Sequence, residues 1–297
     1  MTERDEQILE EHETDVITAF EEDPPVGGIV DGEERIPGAF WTRVGRYLPA
    51  VLAFFLVIVL WEALTRALGV ESFILPKPSE ILTKFVQNAD VIWSAAFNTL
   101  IEALGGFVIG TTLGVLAALA TVRWTAVHEG MMPFAIAANS VPIIALAPIA
   151  NALFSITSPV SKMVVVAAVV FFPVMINTTR GLLEVDPAEL ELMRSFASTP
   201  RAVMRQIRIP HALPYFFSAL KVAGTLSLIA AIVAEYFGGP QDVLGQYIIN
   251  RANLFQFPDA WAAILAASIL GITFYVLILI AERLVMPWHV SFRSTED

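Results

Sequence analysis

Along most of this chain apolar residues do not alternate with polar ones. They run in blocks of about 20 residues, the length that carries a helix across roughly 30 Å of hydrocarbon. Six blocks stand out: Leu48–Leu68, Ala96–Val122, Met132–Phe154, Val160–Leu183, Leu213–Phe237 and Trp261–Met286. In lipid every backbone N–H and C=O must be paired within its own segment, so each block predicts a membrane-spanning helix. The expected fold class is all-α, a polytopic membrane protein with about six transmembrane helices.

Composition agrees, with 56% hydrophobic and only 16% charged residues, outside the range of soluble domains. The net charge of −11 is local: residues 1–40 hold 13 acidic side chains against Arg4 and Arg35, and the remainder balances at 16 and 16. With Pro24, Pro25, Gly27 and Gly28 and no apolar periodicity, this stretch is expected to be a disordered acidic cytoplasmic tail. It has no basic segment leading into an apolar core, so it does not read as a secretory signal. The expected organisation is the tail at 1–40, a first transmembrane helix with an outer amphipathic segment at 41–95, a core at 96–288 and a short cytoplasmic C-terminus at 289–297.

Basic residues stay on the cytoplasmic side of membrane helices. With the N-terminus inside, the inner segments hold Arg43, Arg46, Arg123, Arg180, Arg194, Arg201, Arg205, Arg208, Lys221, Arg283 and Arg293. The outer ones hold only Arg66, Lys77, Lys84, Lys162 and Arg251. Both termini are therefore expected inside, with Glu62 and Arg66 forming an i,i+4 pair at the outer end of the first span. The second span carries Gly106, Gly110 and Gly114 on one face, a pattern for close helix approach that does not name the partner helix.

Between the fourth and fifth blocks, Asp186 to Pro210 is too polar for lipid and too patterned for a linker. Asp186 is an N-cap, Pro187 suits the first helical position and Glu189 falls where a capping box needs it. Thr199–Pro200 repeats the signal, predicting a break near Ala197 and Ser198 and a second short helix ending before Pro210. Leu190, Met193 and Ala197 share a face beside Phe196, and Arg201, Arg205 and Arg208 form a basic face. From the residues alone, such a unit either docks in a partner's groove or lies on the membrane with its arginines on lipid phosphates.

The loop resembles the EAA motif of permeases in binding-protein-dependent ABC importers, Glu-Ala-Ala followed by a glycine and later Ile-x-Leu-Pro. Glu191, Leu192 and Met193 stand at the EAA positions, Ala197 at the glycine, and Ile207, Arg208, Ile209 and Pro210 at the close. The similarity runs from about Leu75 to Trp288 and includes LPKPSEIL, FFPVMINTTRGLLEVDP and AAIVAE, which look like the nitrate, sulfonate and taurine branch. Glu235 to Gly239, EYFGG, looks more like permeases for pyrimidine thiamine precursors or riboflavin. Two departures are Ala197, whose cost in left-handed backbone space favours a regular kink there, and NALFSITSPVSKM, where the family has a Trp-Phe-Gly segment.

The resemblance implies the type I ABC importer permease fold, in the inner (plasma) membrane of a prokaryote. It implies a homodimer or pseudo-dimer with ABC ATPase subunits, which would bind ATP and Mg, and an extracytoplasmic binding protein that delivers a small organic or anionic solute. The coupling residues it implies are Glu191, Leu192, Met193, Arg194, Ala197, Ser198, Arg201, Ile207 and Pro210. Gly238 to Pro258, rich in Gly, Gln and Asn, is the expected docking surface for the binding protein.

Polar residues inside spans are candidates for the translocation pathway, since lipid burial is costly: Asn139, Ser140, Asn177, Thr178 and Glu235. Their alternative role is helix–helix hydrogen bonding or, for Glu235, contact with water at the outer interface. The sequence has no GxxxxGK[ST] phosphate loop, no GxSxG elbow and no cysteine, and His128, His211 and His289 are scattered, so neither ATPase nor metal chemistry is expected in this chain. Nothing points to nucleic acid. An ion-gradient-driven secondary transporter is the alternative, although such proteins often carry two homologous halves and no repeat is visible.

Overall fold

The computed structural model describes residues 39–287, with side chains from Leu48 onward except those of Asn139 and Ile144. The acidic tail and the C-terminal segment lie outside the described residues. All regular structure among the described residues is helical, and the chain divides into two units at Leu56 and Val57. Of the first unit, the described part is the opening stretch of α1 (Ala39–Ala67), where Phe54, Phe55 and Leu56 are exposed, as a lipid-facing helix requires.

The second unit holds everything else. Within it, Glu62 pairs with Arg66 at 2.6 Å and also accepts hydrogen bonds from the Ser79 N–H at 3.1 Å and hydroxyl at 2.8 Å. This fixes the start of a short amphipathic helix, α2 (Pro78–Gln87). The core is built on α3 (Ala89–Arg123), α6 (Pro159–Leu183) and α9 (Ile209–Tyr236), with α3 packed along α6 and α6 along α9. The glycine seam is thereby assigned an intramolecular partner. A methyl group added at Gly106 would stand 2.4 Å from Val166 Cβ, and one at Gly114 would stand 2.9 Å from the Phe171 carbonyl oxygen.

Among the described residues, five helices are long and apolar enough to cross a membrane: Leu48–Ala67, Ala89–Arg123, Pro159–Leu183, Pro200–Tyr236 and Phe257–Val285. The third expected span, Met132–Phe154, is not one helix. It consists of α4 (Thr125–Asn139), a 3₁₀ turn at Ile143–Leu146 and α5 (Ala147–Phe154). Pro142 has no N–H to donate and disfavours helical backbone at Val141, so the chain breaks there and restarts on Ala147–Pro148.

The loop after α6 forms α7 (Pro187–Ser195) and α8 (Pro200–Val203). Here the expected stop before Pro210 is corrected. From α8 the helix continues through a π turn, Met204–Arg208, into α9 without interruption. The Ile209 N–H reaches back to the Met204 carbonyl, and this wider winding accommodates the proline that follows. After α9, α10 (Leu244–Asn253) packs across the ends of α3, α9 and α11 (Phe257–Val285).

Candidate functional site

The loop end of the bundle is shaped by its caps. The Asp186 carboxylate accepts the Ala188 N–H at 2.8 Å and the Thr199 hydroxyl accepts the Ala202 N–H at 3.3 Å, so both short helices begin where the cap residues predict. Between them Ala197 has φ +49, and the Ser198 N–H bonds the Met193 carbonyl at 3.1 Å while the Ala197 N–H bonds that of Arg194 at 2.9 Å. This is a Schellman cap with alanine where glycine is usual, not the regular kink expected from the missing glycine. The two cap bonds offset the left-handed cost.

The faces also differ from expectation. Leu190 and Met193 are half-buried toward the bundle, whereas Leu192 and Phe196, one turn apart, are 58% and 72% exposed. Glu191, Arg194, Ala197 and Arg201 are exposed around them, and Ser198, Ile207 and Pro210 are half-buried beneath. Arg208 leaves the basic face altogether and donates to the Leu182 carbonyl at 3.1 Å. Beside it the His211 ring bonds the Gly181 carbonyl at 2.8 Å, and Tyr215 donates to Glu184 at 3.2 Å. Arg180, 2.7 Å from Glu184, holds that carboxyl below its ordinary range. A Cβ on Gly181 would meet Ala212 Cα at 2.8 Å. The loop thus leaves α6 and enters α9 through one tight clamp, which Arg208 and His211 make and which was not foreseen.

At the other end of the bundle, three ionisable groups from three helices are buried together: Glu102 of α3, Lys162 of α6 and Glu235 of α9. The two carboxyls face one another and Lys162 acts on both through space, while its ammonium donates to the Ile156 carbonyl. One Glu235 oxygen accepts the Gly245 N–H at 2.5 Å, the Glu235 carbonyl accepts from the Gln246 amide, and the Thr99 hydroxyl accepts the Leu244 N–H at 2.9 Å. Glu102 Oε2 and Glu235 Oε1 accept no hydrogen bond from any other residue and have the opposing carboxyl beside them. Glu235 is therefore not at a wetted interface; it is fully enclosed and caps α10.

Of the other pathway candidates, Ser140 is exposed at the break after α4, Asn177 donates to the Pro173 carbonyl of its own helix at 2.8 Å, and Thr178 is buried with its hydroxyl unpartnered. The Asn139 side chain lies outside the described residues. These groups do not converge with Glu235 on one point. Midway along α9, Lys221 makes a two-pronged contact with Glu282 of α11 at 2.9 and 3.1 Å. Glu102 was not among the expected residues, although a lone carboxylate in an apolar run is the usual mark of an intramembrane site. Lys162 sits too near a span end to give that signal. The docking segment Gly238 to Pro258 is largely folded in, with Leu244 to Ile248 buried and the exposed surface reduced to Gln241, Asp242 and Asn253 to Gln256.

Residues 110–288 match the family model described as "Binding-protein-dependent transport system inner membrane component". The formylaminopyrimidine transport permease protein ThiX of Halalkalibacterium halodurans is 28% identical over 243 residues, 82% of this chain and 96% of the relative. The riboflavin transport system permease protein RibX of Chloroflexus aurantiacus is 30% identical over 255 residues, 84% of this chain and 92% of the relative. A crystal structure of an amino acid ABC transporter with histidines aligns at TM-score 0.54 and 20% identity over 67% of this chain and 95% of that one, a likeness of fold.

Proposed function

Because the chain belongs to the binding-protein-dependent transport system inner membrane component family, and so is a multi-pass ABC importer permease for a small solute, we propose that it couples to its ATPase through the α7–α8 loop. The observation that carries this is the pair Leu192 and Phe196, two large apolar side chains exposed on a capped, clamped helix. An isolated apolar pair costs little in water, but on a rigid cytoplasmic projection it fits a partner's groove. Glu191, Met193, Arg194, Ala197, Ser198, Arg201, Ile207 and Pro210 shape and surround that surface.

In this reading both termini are cytoplasmic, two copies of the chain form the pathway, and two ATPase subunits bind ATP and Mg. A binding protein delivers the solute to the opposite face, at Gln241, Asp242 and the Asn253 to Gln256 turn. The helix break at Asn139 and Ser140, with Asn177 and Thr178, supplies the polar groups assigned to the pathway, while the enclosed Glu235 is assigned to helix packing instead. The likeness to permeases named for formylaminopyrimidine and riboflavin supports a small heteroaromatic organic solute ahead of nitrate or a sulfonate. Family membership does not favour the ion-driven alternative.

The test is co-purification of tagged chain from native membranes in mild detergent. Wild type should bring down an ATPase subunit, and the double charge reversal of Glu191 and Arg201 should lose it. Absence of any ATPase with wild type would overturn the reading.

A further inference from the structure

The helix α10 has no cap of its own. Its N-cap position is Val243, whose side chain can accept nothing, so its first N–H groups depend on other helices: Leu244 on Thr99 of α3 and Gly245 on Glu235 of α9. The Gln246 side-chain amide adds a third bond, to the backbone carbonyl of Glu235 and not to its carboxylate. The contact has no slack, since a Cβ on Gly245 would stand 2.5 Å from the Ile232 carbonyl oxygen and 2.6 Å from Glu235 Cβ. Glu235 lies in the last turn of a helix unbroken from Pro200, about 55 Å of rod by helix rise. The far end of that rod is the loop, clamped through Arg208 and His211.

The surroundings hold Glu235 in place. Lys162 ties the turn at Ile156 to the same cluster, and Gly238, at φ +132 and with no room for a Cβ beside Ile156, closes the other side. The charged and titratable groups facing Glu235 are Glu102 of α3, Lys162 of α6 and Tyr236 of its own helix, with Asp242 beyond them near Glu102. One ammonium against two enclosed carboxyls is neutral when the carboxyl pair carries one proton, which makes the cluster tolerable away from water.

We propose that Glu235 is a positioning residue that latches α10 to the end of α9, so that the loop on one face and the α10 surface on the other move as one piece. The inference rests on the coupling role proposed for the loop and adds the transmission element. Loss of the carboxylate removes the Gly245 bond and leaves α10 held to α9 only by the Gln246 amide and the packing of Gly245 on Ile232, so that the two helices no longer move as a rigid unit. The binding protein, docked at Asn253 to Gln256, then no longer reports to the ATPase.

The experiment uses the complete complex in nanodiscs and reads the ratio of ATPase activity with and without loaded binding protein. It is paired with a spin label at Leu254→Cys, placed in a chain that has no native cysteine. Glu235→Leu, which keeps bulk and removes the acceptor, should lower the stimulation ratio about tenfold or more and abolish the ATP-induced change at the label. Glu235→Gln, which keeps an acceptor for the Gly245 N–H, should retain both. If Glu235→Leu does not assemble, Gly245→Ala tests the same contact by displacing α10. A variant complex that is stimulated and responds at the label like wild type overturns the latch alone. Failure of wild type to hold an ATPase overturns the coupling reading, and the latch with it.

Discussion

Gly110 lies against the backbone of Ala167: a methyl group placed on it would stand 2.5 Å from the Ala167 carbonyl oxygen and 3.0 Å from Ala167 Cα. Neither atom can swing away as a side-chain tip could, so the α3–α6 seam has no room for even one carbon. Gly110→Ala should cost about 1–3 kcal/mol by overpacking, and Gly110→Leu should prevent folding. Gly130, within α4 and with open space around it, is the control. Gly130→Ala should be neutral or stabilising by up to about 1 kcal/mol. Thermal unfolding in one detergent compares all three.

Alanine at position 197 carries a left-handed cost that glycine would not. Ala197→Gly should stabilise the loop by about 1 kcal/mol, and Ala197→Val should loosen it by more than that. The readout is hydrogen exchange at Ser198, whose N–H closes the wider of the two cap bonds; protection should rise with glycine and fall with valine.

The Lys221–Glu282 pair joins α9 to α11 with side chains 23% and 10% exposed. Lys221→Met alone strands a mostly enclosed carboxylate and should cost on the order of 3 kcal/mol. The double variant Lys221→Met with Glu282→Met should recover most of that. A double-mutant cycle on thermal stability checks it; a double-variant loss equal to the sum of the two single losses would show that the pair does not interact.

Glu80 of α2 is held below its usual range by the Ser72 hydroxyl, 2.7 Å away, and by Lys77 at 3.0 Å. Its carboxylate is therefore favoured by the folded state. That contribution is full above the unfolded carboxylate range and is lost as pH falls through the lower folded value. Protection factors at the 70–80 turn, taken relative to the intrinsic exchange rate at each pH, should fall at acid pH in wild type, and Glu80→Gln should show that lower protection at neutral pH already.

The elements that proved legible are those whose cause is local. Asp186 and Thr199 announce their helices because capping needs only a side-chain oxygen two or three residues upstream of an N–H. Val141–Pro142 marks a backbone break in the same way, yet a 23-residue apolar block outweighed it and suggested one continuous span. What could not be read was tertiary. The stretch Leu244 to Asn253, mostly polar from Gln246 onward, looks like an exposed surface segment until Thr99 and Glu235 supply the missing bonds of its first two N–H groups. Arg208 reads as one more surface arginine until the Leu182 carbonyl lies within reach. The glycine face of α3 was visible, but its partner was not, because any smooth helix would satisfy it.

The π turn at Met204–Arg208 sets a phase. It carries one residue more than an α-helical turn, and each residue advances a helix by about 100°, so everything before it is turned by that angle about the α9 axis relative to a plain continuation. The azimuth at which Leu192 and Phe196 face outward is fixed by that single extra residue. Deleting it would bring the Pro210 ring against a carbonyl one turn back. The direction of the projecting helix is therefore encoded in the winding of the stalk, independently of the side chains it displays.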